Sequence, residues 1–106
     1  MILVAPDSGR EFRVEVESVD GYRAAMWLDE ETLLRLAVAI CDCYEKRATR
    51  ELPRSITVSG DEKTIAIRAG DETIRLCRGC ASGLASAIVR ACETRKPETG
   101  TCYALN

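Results

Sequence analysis

The residues best equipped for chemistry are cysteines. Six stand in a chain of 106 residues: Cys41, Cys43, Cys77, Cys80, Cys92 and Cys102. Histidine is absent, which removes the commonest general base and the commonest metal ligand. Cys77-Arg-Gly-Cys80 is the most specific motif. It falls where a predicted strand hands over to a predicted helix, and a helix N-terminus favours a thiolate.

Three chemistries suit this motif. A thiol–disulfide redox pair would use Cys77 and Cys80 themselves. A zinc site would add Cys41 and Cys43 as further ligands. A structural disulfide would join a cysteine of one pair to a cysteine of the other. In an antiparallel helix pair, the end of the first helix lies beside the start of the second, so all four thiols would be neighbours. Residues two apart on a helix point about 200° apart, so Cys41 and Cys43 both serve as ligands only where that helix has frayed. Cys92 would pair separately with Cys102 across a short loop. The strand, Cys-x-x-Cys, helix order resembles that of thioredoxin-like oxidoreductases over these few residues, while the rest of the chain does not follow that fold. Stability is the expected main use of the thiols. No cofactor is expected, zinc being the one the residues would accept.

Other candidates are surface residues. Trp27 is the single tryptophan, and if exposed it would anchor an interface. Arg13, Glu15 and Arg68 fall on the solvent side of their strands and are further interface candidates. Asp29-Glu30-Glu31 reads as a capped helix start rather than a cation site. Arg47, Arg50 and Arg54 make a thin basic cluster.

Lysine and arginine number 15 against 17 acids, for a net charge of −2. That balance argues against nucleic acid as a partner. No apolar run is long enough to span a membrane, and Met1 to Asp7 lacks the form of a secretory signal, so a cytoplasmic location is expected. Glutamine is absent and Asn106 is the single asparagine, while Glu and Arg abound. Depletion of labile amides suits a thermophile, whose cytosol tolerates disulfides.

The elements that must position these residues follow from periodicity. Phe12, Val14 and Val16 alternate with Glu11, Arg13, Glu15 and Glu17, which predicts a half-buried strand. Short strands are also predicted at residues 2–5, 22–28, 55–58, 64–67 and 73–76. Asp29 caps a first helix, apolar around most of its circumference and so expected to be buried on more than one side. A second helix runs from about Cys80 to about Arg95, and its small residues, including Gly83, Ala85 and Ala87, allow a close neighbour. At a constant offset Ser8 falls on Ser59, Asp20 on Asp71, Leu33 on Leu84 and Cys41 on Cys92.

The expected fold is therefore α+β: one antiparallel sheet of about six strands, two helices on one face, and an internal duplication of a strand-strand-strand-helix unit. Residues 1–106 would form one domain, with pseudo-repeats 1–50 and 51–96 and a tail 97–106. The expected function is a non-catalytic binding or assembly module, acting with a protein partner or as a homodimer. A thiol redox or zinc protein using Cys77 and Cys80, and a small inhibitor of a host enzyme, are the alternatives.

Overall fold

A computed structural model of the chain describes residues 1–102. Strands β1 (Ile2–Pro6), β2 (Glu11–Glu17) and β3 (Arg23–Asp29) form an antiparallel meander. Helix α1 (Glu30–Lys46) follows, then strand β4 (Thr49–Leu52) and a 3-10 turn at Pro53–Ser55. A second meander, β5 (Ile56–Gly60), β6 (Thr64–Ala69) and β7 (Glu72–Cys77), leads into α2 (Arg78–Thr94) and a two-residue strand, β8 (Glu98–Thr99).

The fold is α+β, but the strands make two antiparallel sheets of four, in the orders β3-β2-β1-β8 and β4-β5-β6-β7. The expected single sheet of about six strands is thus replaced. The cause lies in β4 and β8, which carry no apolar alternation. Thr49, Arg50, Glu51 and Leu52 are all exposed or half-exposed. Both strands form by pairing rather than by a pattern of their own, β4 with its chain neighbour β5 across the Pro53–Ser55 turn and β8 with the distant β1, so their residue types alone hold no signal for them.

The alternation in β2 does what its pattern dictates. Phe12, Val14 and Val16 are buried, and the charged residues between them are half-exposed. From the other sheet come Val58, Ile65, Ile67, Ile74 and Leu76, and from the helices Leu33, Leu36, Ile40, Leu84 and Ile88; all belong to one core. Each such side chain contributes roughly 1.5–3 kcal/mol when fully buried. The first helix is more open than its composition suggested: Leu34 and Val38 face solvent, Val38 with 62% of its surface exposed.

Each helix leaves one sheet and lies mainly against the other. α1 follows β3 yet packs on β4 and β5, and α2 follows β7 yet packs on β1. The two helices run antiparallel and are clamped at both ends. Arg95 Nη2 lies 2.8 Å from Glu30 Oε2. At the other end the Arg78 guanidinium sits 4.0 Å over the Tyr44 ring and donates to the Tyr44 carbonyl.

One order of elements, three strands, a helix and a strand, occurs twice. Strand register matches Val4, Val14 and Met26 with Val58, Ile67 and Ile74. The caps match Asp29 with Cys77 and Arg47 with Arg95. Leu36 then corresponds to Leu84, and Ile40 to Ile88. The offset is therefore not constant, 54 at Val4 and 53 at Val14 but 48 from Met26 onward, the longer turn after β2 supplying part of that change.

Candidate functional site

Two places gather the residues singled out above. The first is the start of α2. Cys77 ends β7 and caps the helix, and its Sγ accepts a hydrogen bond of 3.3 Å from the Cys80 N–H. Cys80 is disulfide-bonded to Cys102. Cys77 Sγ lies 3.2 Å from Cys102 Sγ, and the three sulfurs all fall within 4.8 Å of one another.

The tail reaches this point by backbone contacts. Leu3 pairs with Thr99 and Val4 with Glu98, Gly100 N–H donates to Ile2 O at 3.0 Å, and Arg90 donates to Thr99 O at 2.8 Å. The tail then lies so close to α2 that a Cβ at Gly83 would overlap the Thr101 carbonyl. This is the close neighbour that the small residues of the helix admit. Running back along α2 carries Cys102 past Cys92 to the first turn. The expected Cys92–Cys102 pairing therefore does not form, and Cys92 stays a free, half-buried thiol. Burial, and then the nearby Glu30 carboxylate, push that thiol up.

Cys41 and Cys43 stand apart from the sulfur cluster. Cys41 is exposed, beside Val38 and Val89 in a shallow groove of about 540 Å³ between the helices. Cys43 is buried and its Sγ donates to Val58 O at 3.5 Å; burial pushes its thiol up. The helix is intact at both positions, so the angular separation of residues two apart sends the two side chains different ways.

The second place is the outward face of the first sheet. Trp27 sits on the edge strand β3 with 48% of its surface exposed. Its Nε1 donates to Asp7 Oδ2 at 2.6 Å. The Ser8 N–H, and then Trp27, hold the Asp7 carboxyl below the usual carboxylate range. Register sets Trp27 opposite Arg13. The Arg13 Nε is shielded from water and has no hydrogen bond among the described residues; it lies 3.6 Å from Glu15 Oε2. Trp27, Arg13 and Glu15 are therefore one group. Arg68 is elsewhere, on β6 of the other sheet between Thr57 and Thr73.

Sequence reasoning passed over Arg54 as one member of a basic cluster. In the fold that cluster disperses: Arg47 pairs with Glu62 and Arg50 with Asp42. Arg54 takes a left-handed backbone, φ 64°, and reaches Glu11 at 3.0 Å and Asp29 at 3.7 Å. It also donates to the Trp27 carbonyl at 3.1 Å. The acids at the start of α1 each meet an arginine: Asp29 with Arg54, Glu30 with Arg95, Glu31 with Arg35. Among the described residues, no helix is long and apolar enough to cross a membrane. Compared with known proteins, the chain matches no family model, no curated protein and no solved structure.

Proposed function

We propose that the chain is a non-catalytic binding or assembly module that meets a protein partner through the outward face of its first sheet. Trp27 is its anchor, with Arg13 and Glu15 beside it. One observation carries this reading: a large aromatic is nearly half exposed, yet fixed in place by its hydrogen bond to Asp7. A side chain ordered before contact loses less entropy on binding, and tryptophan is enriched where interface energy concentrates. The partner this face suits best is a second copy. Glu11, Arg13, Glu15 and Glu17 carry both signs along one strand, so two copies laid antiparallel set Arg13 against Glu15 of the other, while Glu11 and Glu17, which the same register brings together, are already paired with Arg54 and Arg23. Arg68 then serves only as a peripheral contact.

Sedimentation equilibrium over a range of loading concentrations tests this. Wild type is expected to pass from monomer to dimer, and Trp27→Ala to weaken that step by about 30-fold, the loss of an anchor worth about 2 kcal/mol. A wild-type monomer at every concentration contradicts the dimer.

The arrival of Cys102 favours a second reading, a thiol redox or zinc protein. Reduced, Cys77, Cys80 and Cys102 would supply three sulfur ligands, with the fourth corner open to solvent. Metal content of the protein purified without chelator decides between zinc and free thiols. The shared order of elements supports an internal duplication, and the disulfide with the amide-poor composition supports a thermophilic, cytoplasmic setting.

A further inference from the structure

At the start of α2 one disulfide is held among three sulfurs. Cys77, the free one, has its Sγ 3.2 Å from that of Cys102. Cys77 and Cys80 are half-exposed and Cys102 is exposed, so solvent reaches the group. We infer that Cys77, Cys80 and Cys102 form a thiol-exchange site: Cys102 passes between Cys80 and Cys77, and the thiol left over reacts with a low-molecular-weight disulfide. This is independent of the binding surface around Trp27, which lies on the other sheet.

The internal step needs no outside oxidant. Cys77 gives its proton to water, and its thiolate attacks Cys102 Sγ. The Cys77–Cys102 bond forms as the Cys102–Cys80 bond breaks, and the electron pair leaves on Cys80. That leaving thiolate stands in the first turn of α2, where aligned N–H groups favour an anion, so it departs readily. Either thiolate then meets an external disulfide, R–S–S–R. A mixed disulfide forms on the cysteine and R–S⁻ is released. Cys41, Cys43 and Cys92 take no part in the internal exchange, being outside the cluster.

Position in the chain makes the exchange readable. Arg75, Arg78, Arg90 and Arg95 place Cys77, Cys80 and Cys102 in separate tryptic peptides, residues 76–78, 79–90 and 96–106, with Cys41 and Cys43 in a fourth and Cys92 in a fifth. The full chain, isolated without reductant, is exposed to oxidised glutathione, acid-quenched, alkylated and digested, and its linked peptides are mapped by mass spectrometry.

Both linkages to Cys102 are expected, because the three sulfurs all lie within 4.8 Å of one another. Glutathione should appear on the Cys77 peptide or the Cys80 peptide. In Cys77→Ala the Cys80 peptide should carry none, and Cys80→Ala should still form a Cys77–Cys102 bond. Glutathione on Cys77 alone in wild type, with Cys80–Cys102 the one linkage, overturns the proposal. So does a free Cys102 in folded Cys80→Ala, or one zinc per chain with the three thiols protected from alkylation.

Discussion

The two helix starts occupy matching places and are closed by different chemistry. At α1 the cap is Asp29, and the chain returning after β4 brings Arg54 to 3.7 Å from it. At α2 the cap is Cys77, and the chain returning after β8 brings Cys102, bonded to Cys80. Both caps share one extended backbone, φ −69° and ψ 161° against φ −63° and ψ 159°. One junction rests on an exposed ion pair, the other on a covalent bond. The first should answer to salt and acid, and the second to reductant.

The largest expected effect comes from breaking the covalent junction. Cys102→Ser or reduction should destabilise the chain by about 2–4 kcal/mol, the usual worth of a disulfide, measured by urea unfolding. A loss no larger than that of an exposed ion pair would mean the bond adds nothing to the tail contacts. Next comes Gly83→Ala. A methyl there meets the Thr101 backbone, which cannot swing aside as a side chain can. The overpacking should cost roughly 1–3 kcal/mol, outweighing the gain in helix propensity of about 1 kcal/mol. If this variant were more stable than wild type, the close approach of tail and helix would be wrong.

Breaking the ionic junction should do less. Arg54→Ala should cost at most about 1 kcal/mol, as exposed ion pairs do, and the difference from wild type should shrink in high salt. Acid gives the smallest effect. Thr32 and then Arg54 lower the Asp29 carboxyl, and the Thr64 and Lys63 N–H groups lower Asp61; Asp7 is lowered too. Groups lowered in the fold contribute stability that is fully present above their unfolded value, about 3.9, and lost as pH falls through the lower folded value. Stability should therefore be level from about pH 5 to about pH 8, decline below that range as these carboxylates protonate, and decline above it because the raised Cys43 and Cys92 thiols ionise more easily in the unfolded chain. Trp27 fluorescence should change over the acid decline as Asp7 ceases to hold the indole. A response centred near neutrality would place the titrating group elsewhere.

Much of this contrast was written locally. The alternation of Phe12, Val14 and Val16, the helix start at Asp29 and the Cys77-x-x-Cys80 step from strand to helix each needed only neighbouring residues to be read. The exposed position of Trp27 could be stated only as a condition, because Ala24, Ala25, Met26 and Leu28 make β3 apolar on both faces. Pairings across the chain were not legible. Arg54 looks like one more arginine until β4 turns it toward Asp29. Cys102 looks nearest to Cys92, and only the direction of a two-residue strand takes it to Cys80. Two sheets replace one because β8, without an apolar pattern of its own, takes the edge of the distant β1, while β4 takes the edge of its chain neighbour β5, so neither edge is left to join the two meanders.

Native-state hydrogen exchange, run on oxidised and reduced protein, tests most directly whether matching junctions are closed by unlike bonds. On reduction, the amides of Cys80, Ala81 and Ser82 in the first turn of α2 should lose protection together with those of β8. The matching amides at the start of α1, Thr32, Leu33 and Leu34, should keep theirs. Equal loss at both helix starts, or no loss at α2, would contradict the account.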